Sequence, residues 1–398
     1  MAITDENTVL ILGAGTSVVF GMPLGGGLIG QIAAQIGEEN RKLYELASSK
    51  VRHSYYSILN DTLHNNKGIL KFPIHAAIFL KYKDDFNEQK EKLVQLLRYL
   101  EGQTSETIDD FIVENPSYAE LSKICISAIF LKKLYTPNSS INGNSLIRLG
   151  RSQRGFGVRD GNLIAHDSDL TTELWRERNW VHLLINIVRQ GVHNGKVTSE
   201  NKVQIITFNY DVILEHVLDA QFSNTELMQG KDWRNYFEII HPHGKCAPWK
   251  EDVFKGADLI NKWAEGIHVI NQDYVSEDIQ SARNRAKEMI ANAREIYAAG
   301  FAFAGPNCKM LGLKREALSK ASKGLKGPYK TTYVKFNREI FICNYDGNIG
   351  LSMAIKKLQQ ESEFRTPQII VTEQTGDYDK PLGVADWIKM GVLGELPG

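Results

Sequence analysis

Thr8-Val9-Leu10-Ile11-Leu12 runs straight into Gly13-Ala14-Gly15, and this junction restricts the fold of the 398-residue chain more than any other feature. Five β-prone residues with no polar face predict a strand buried on both sides, the condition of a parallel sheet covered by helices. Glycines directly after such a strand let the backbone turn sharply and bring N–H groups to the start of a following helix, where an anion is favoured. That helix is expected from about Leu28. The usual dinucleotide fingerprint has a third glycine where Val18 stands, so the glycines alone fit a tight turn as well as a phosphate cradle.

From residue 38 to about 134 the pattern becomes helical. Leu93, Leu96, Leu97 and Leu100 share one face, as do Leu121, Ile124, Cys125 and Ala128. Residues 137–169 are rich in Gly, Asn, Ser and Arg and predict a long loop, and helical spacing resumes over Glu173–Gln190. Short apolar runs then return at Val203–Phe208, Phe237–Ile240, Ile267–Ile270, Ile296–Ala299, Glu339–Cys343 and Gln368–Val371, with the Ala-rich segment Ser281–Arg294 suited to a crossover helix. The expected organisation is an α/β core from residues 1–37 and 190–365, a mainly helical insertion over 38–189, and a C-terminal extension over 366–398. Pro381 and Gly383 predict that this extension is a loosely attached end or a contact arm.

Forty-seven basic residues balance forty-seven acidic ones, so no overall field recruits nucleic acid or an anionic membrane, and direct nucleic-acid binding is not expected. Arg148, Arg151, Arg154 and Arg159 cluster locally and read as a solvated basic loop. Cys125, Cys246, Cys308 and Cys343 are scattered singly, without the paired spacing of a zinc site, and read as ordinary thiols. The polar start of the chain does not suit a signal peptide, and no apolar run approaches the roughly twenty residues that span a bilayer. The expected location is cytoplasmic.

Two further polar clusters stand where predicted strands end. Thr207-Phe208-Asn209-Tyr210-Asp211 follows one apolar run and His241-Pro242-His243-Gly244 another. In an open α/β sheet, ligands bind beyond the carboxyl ends of the strands, so three clusters would meet at one edge. Taken singly, Asn209 fits a turn, Asp211 a helix cap and His243 a core histidine.

Together, Gly13-Ala14-Gly15-Thr16-Ser17 with Gly21-Met22-Pro23, then Thr207–Asp211, then His241–Gly244, resemble the sirtuin series GAGIS with GIP, TQNID and HG, in the same order. Ala299–Asn307 and Ile342–Asp346 give a weaker echo. The resemblance implies a Rossmann-like, mostly parallel sheet flanked by helices, holding NAD as substrate. It assigns Gly13, Ala14 and Gly15 to the pyrophosphate, Thr16 and Ser17 to phosphate or ribose, Asn209 to the nicotinamide ribose and Asp211 to the carboxamide. His243 would be the base, with Gly300 and Asn344 approaching from the opposite side.

Deacylating sirtuins also carry a four-cysteine zinc ribbon and continue GIP with Asp-Phe-Arg. Here the cysteines form no such set, Leu24-Gly25-Gly26 follows Pro23, and no zinc is expected. The chain is more similar to zinc-less sirtuin-like domains of bacterial anti-phage systems, which hydrolyse NAD to nicotinamide and ADP-ribose. Ile108-Asp109-Asp110-Phe111 resembles an element of those proteins and equally fits acids in a first helical turn. The same likeness implies a regulated effector, a homo-oligomer, and a HerA-type hexameric ATPase as partner. A zinc-less NAD-dependent deacylase and a non-catalytic NAD or ADP-ribose sensor are the competing expectations.

Overall fold

The computed structural model describes residues 3–20, 22–49, 54–64, 71–102, 107–134, 146–148, 155–159, 162–165, 180–222, 232–246, 256–269, 276–313, 339–344, 368–373 and 384–389. Its strands are β1 (Thr8–Leu12), β2 (Leu146–Arg148), β3 (Gly155–Arg159), β4 (Asn162–Ala165), β5 (Val203–Thr207), β6 (Phe237–Ile240), β7 (Glu295–Ala299), β8 (Glu339–Asn344) and β9 (Gln368–Glu373). Its helices are α1 (Gly25–Ser49), α2 (Tyr55–His64), α3 (Pro73–Lys81), α4 (Phe86–Glu101), α5 (Ile108–Glu114), α6 (Ala119–Leu134), α7 (Trp180–His193), α8 (Ile213–Phe222), α9 (Gly256–Glu265), α10 (Glu277–Asn292), α11 (Gly305–Leu311) and α12 (Val384–Lys389).

Six strands form one sheet in the order β6-β5-β1-β7-β8-β9. Every pairing in it is parallel. Numbered along the chain within this sheet, the strands read 3-2-1-4-5-6, a Rossmann-like arrangement whose switch point lies between β1 and β7. The side-chain period of two divides each central strand between two cores. Leu10, Leu12, Val203, Ile205, Tyr297 and Ala299 join the large core shared with α1 to α9. Val9, Ile11, Ile206, Ile296 and Ala298 face Ala286, Met289 and Ile290 of α10 and Cys308 and Leu311 of α11. Burial on both faces explains why β1 and β7 carry no exposed residue.

The helical unit follows from amphipathic spacing and capping. On α4, Phe86, Leu93, Leu96 and Leu100 are buried while the intervening charges face outward. The Thr107 side chain caps α5 by accepting from the Asp110 N–H, and Ser276 caps α10 through the Ile279 N–H. The short α3 is buried over Pro73–Phe79. Its first N–H groups, of Ile74 and His75, donate to the buried Glu39 carboxylate at 3.3 and 3.0 Å. α9, from the second half of the chain, packs against α3 and α6, so the two halves interlock.

Four expectations change. The turn after β1 is a 3₁₀ helix, Ala14–Phe20, and α1 starts at Gly25 rather than near Leu28. Within 137–169 the backbone forms a three-stranded antiparallel sheet, β2-β3-β4, rather than one long loop; Arg151 and Arg154 lie outside the described residues. Ile267–Val269 is not a sheet strand, and Ile270 lies outside the described residues. Ile267 makes a single antiparallel bridge to Gly244 and is buried by packing. The extension beyond residue 366 is not a loose end: the expected strand at Gln368–Val371 is β9, paired along all of β8, and α12 buries Trp387 with its ring 6.2 Å from that of Tyr297. No helix among the described residues is long and apolar enough to cross a membrane.

Candidate functional site

The loops leaving β1 and β7 pack backbone against backbone at the switch point. The Gly13 N–H donates to the Ala299 carbonyl at 3.0 Å, the Gly15 N–H to the Gly300 carbonyl at 3.2 Å, and the Thr16 N–H to the Gly13 carbonyl at 2.9 Å. A Cβ on Gly13 would lie 2.3 Å from the Gly300 oxygen. Gly300, at φ 60°, would place a Cβ 2.5 Å from the Thr16 nitrogen. Close packing of the two loops therefore demands these glycines, whatever else they serve.

Next to this seam, the turn after β5 brings its polar side chains onto the 3₁₀ helix. Asn209 Nδ2 donates to Ser17 Oγ at 2.8 Å and to Thr16 Oγ1 at 3.2 Å. The Ser17 side chain lies close enough to the Asp211 carboxyl to lower it, and the Ile213 N–H donates to Asp211 Oδ1 at 3.2 Å. Burial outweighs both and pushes the Asp211 carboxyl up to about 6. All four side chains are buried. Asn209 Oδ1 has no donor among the described residues, and neither does Glu215 Oε2.

These groups line a cavity walled on its apolar side by Leu12, Phe20, Trp180, Ile213 and Leu214. Trp180 is fixed by donating its indole N–H to the Thr16 carbonyl at 2.9 Å, and its ring lies 6.5 Å from that of Phe20. The space amounts to about 10 Å³, roughly the room of a single water.

His243 does not line this cavity. Its neighbours in the 207–211 segment are the intervening residues: Phe208 meets it edge-on at 5.1 Å and Tyr210 lies at 6.2 Å. Burial, reinforced by the nearby Arg283 guanidinium and opposed by a hydrogen bond with Asn307, pushes the His243 imidazole down to about 3. The expected base near neutral pKa is thus replaced by a neutral ring. Its Nε2 has no partner among the described residues.

Sequence reasoning passed over three participants. His241 places Nδ1 3.1 Å from the Asn209 carbonyl and Nε2 2.8 Å from Glu215 Oε1. Lys245 Nζ donates to the same Glu215 oxygen at 3.0 Å. Although burial raises it, the Glu215 carboxyl is held down at about 2 by the charge and hydrogen bonds of His241 and Lys245. The only local signal was position: Glu215 stands one helical turn after Asp211, and His241 opens the histidine cluster.

The helical unit also reaches the site. The Tyr210 hydroxyl donates to Asp109 Oδ1 at 2.6 Å, so one acid of the Ile108–Phe111 element touches the 207–211 segment while Asp110 engages the Thr107 cap. Burial raises the Asp109 carboxyl to about 6, against the lowering effect of the Tyr210 bond.

Thr16, Ser17, Asn209 and Asp211 are thus brought together, with Gly13, Ala14, Gly15 and Gly300 in the adjoining seam and His243 behind Phe208 and Tyr210. Asn344 ends β8, two strands from β1 on the same edge of the sheet. The four cysteines are buried and unbridged, and among the described residues no group of His, Cys, Asp and Glu has the arrangement of a metal site. Comparison of the sequence with protein-family models and with curated proteins gives no match.

Proposed function

We propose that the chain is an NAD glycohydrolase, releasing nicotinamide and ADP-ribose at the edge of the sheet where β1, β5 and β7 end. The observation that carries this reading is the buried cluster of Thr16, Ser17, Asn209 and Asp211, with Asn209 donating to both hydroxyls, beside the switch point of a 3-2-1-4-5-6 sheet and walled by Phe20 and Trp180. A dinucleotide lies across that point in sheets of this order.

The chemistry asks little acid–base strength of the protein. The pyridinium departs as a neutral ring, so no group need protonate it, and the developing oxocarbenium needs negative or dipolar partners and an acceptor for the water's proton. Burial raises the Asp211 carboxyl more than its hydrogen bonds and the His241 charge lower it, so its carboxylate gains when a pyridinium or an oxocarbenium comes near. Asn209 Oδ1 offers a buried acceptor to a ribose hydroxyl or a water. His243 lies behind Phe208 and Tyr210 as a neutral ring that adds no positive charge near a cationic transition state, and its Nε2 serves as the proton acceptor once entry of the ligand moves that segment. Because water attacks an already electrophilic carbon, a weak base suffices.

A nicotinamide ring exceeds the room of the cavity, so its entry requires the Phe20–Trp180 wall to move. That closure supports a regulated enzyme, opened by assembly of the chain with itself or with a hexameric ATPase of the HerA type, as an effector of anti-phage defence through NAD depletion.

The test is release of nicotinamide and free ADP-ribose by the purified chain, alone and with such a partner, resolved by mass spectrometry. Asn209→Ala and Asp211→Asn are expected to lose at least a hundredfold, and His243→Ala about a hundredfold, the low end for removing a proton acceptor. Undiminished turnover in all three removes the assignment. Formation of acetyl-ADP-ribose from an acetylated peptide would move it to deacylation, and tight NAD binding without turnover under every condition to a sensor.

A further inference from the structure

We propose that Glu215 and His241 form an ion pair whose task is to position Asn209, a role that the sequence resemblance assigns to neither residue. Both groups that His241 faces are hydrogen-bond acceptors. Nδ1 lies 3.1 Å from the main-chain oxygen of Asn209, and Nε2 lies 2.8 Å from Glu215 Oε1. A neutral imidazole has one donor and one acceptor nitrogen, and in either tautomer it would turn a lone pair toward one of these oxygens. A proton on Glu215 Oε1 could donate to Nε2, but the Lys245 ammonium 3.0 Å from that oxygen favours the carboxylate and keeps the proton off it. The arrangement that satisfies every contact is an imidazolium between a carbonyl and a carboxylate.

The consequence falls on Asn209. Its main-chain carbonyl is held by His241 on one side, and its carboxamide nitrogen by Ser17 and Thr16 on the other. The peptide plane and the side chain are therefore fixed from opposite ends, which aims Oδ1, the atom without a protein donor, in one direction. Glu215 lines the same cavity as Asn209, and both are more than nine-tenths buried. Water cannot substitute freely for the pair. Its kinetic consequence rests on the NAD-cleaving reading given above; its structural consequence does not.

The experiment uses the full chain labelled with ¹⁵N at its 10 histidines and, separately, at asparagine, with Glu215→Gln and His241→Gln as variants. The expected result at pH 7.5 is a His241 ring with both nitrogens protonated in the wild type, identified by its loss in His241→Gln. In both variants, hydrogen exchange of the Asn209 side-chain amide should rise at least tenfold, while the thermal midpoint stays within a few degrees. In nicotinamide release, kcat should fall by about a hundredfold with KM for NAD little changed, the signature of a misaimed group rather than a lost contact. A neutral His241 in the wild type, or unchanged Asn209 exchange in Glu215→Gln, overturns the proposal. So does a kcat in both variants equal to that of the wild type. If the wild type releases no nicotinamide, the catalytic reading fails, and the charge state and amide exchange still decide the positioning role.

Discussion

Asp211 carries a cost of burial that a pH titration can measure. Its carboxyl moves from an ordinary value of 3.8 to about 6 because desolvation outweighs the lowering by Ser17 and the Ile213 N–H. The folded protein therefore binds the proton more tightly than the unfolded chain, and stability falls as pH rises from below 3.8 through about 6. At about 1.4 kcal/mol per pH unit, the whole loss is about 3 kcal/mol. Roughly half of it lies between pH 5 and pH 8. Asp211→Asn removes the titration while keeping an oxygen for the Ile213 N–H. Any constant gain or loss from the new amide is the same at both pH values and cancels in the comparison, as does the parallel titration of Asp109, which is raised to about 6 in both proteins. The assay is urea unfolding of wild type and variant at pH 5 and pH 8. The wild type should lose about 1 kcal/mol more than the variant over that interval, on the order of 1–2 °C in thermal midpoint if the whole chain unfolds as a unit. Parallel pH dependences in the two proteins would refute the reasoning, because they would mean that Asp211 ionises in the fold as freely as in water.

Two further outcomes follow from packing. Gly300→Ala should destabilise by several kcal/mol, since it combines a positive φ with a Cβ 2.5 Å from the Thr16 nitrogen, whereas Gly27→Ala on α1 meets no atom within 4 Å and should stabilise by up to about 1 kcal/mol; thermal melts of the two variants check the contrast. Tyr210→Phe removes the donor to Asp109 and leaves a desolvated carboxyl without it, at a cost of about 1.5–3 kcal/mol above pH 6 that shrinks as the medium is made more acid than the Asp109 value of about 6; equal destabilisation at pH 5 and pH 8 would contradict it.

What the sequence made legible was whatever depends on residues close in the chain. The run Thr8–Leu12 and its glycines announced a buried parallel strand and a tight seam, because a threonine and four apolar residues with no polar face have few other uses. The placement of Asn209 and Asp211 at the end of β5 was equally readable, since it required only the end of one apolar run. Ile267–Val269 deceived the same reasoning: apolar residues can be buried by lying over a turn. Here Gly244 and Gly266 approach so closely that a Cβ on Gly244 would sit 1.9 Å from the Gly266 oxygen. The end of the chain deceived it in the opposite sense, because Pro381 and Gly383 drew attention away from Val384, Ala385, Trp387 and Ile388, all buried and at helical spacing.

The electrostatics were the least legible part, and for a definite reason. A histidine's basicity is set by what surrounds the ring, and the Phe208, Tyr210 and Arg283 neighbours of His243 come from two segments whose meeting no local pattern encodes. An imidazole expected near its ordinary value is therefore pushed down to about 3, while the neighbouring His241, two residues earlier, is drawn into a pair with Glu215. Two histidines separated only by Pro242 thus have opposite environments, and under the NAD-cleaving reading they take different parts: His243 as a neutral ring, and His241 as the partner of Glu215 that holds Asn209. The division implies a difference that mutation can expose. Under the NAD-cleaving reading, His243→Gln should lose about as much activity as His243→Ala, because a carboxamide cannot take up the water's proton. His241→Gln should lose activity by a different route, with a matching rise in exchange of the Asn209 side-chain amide.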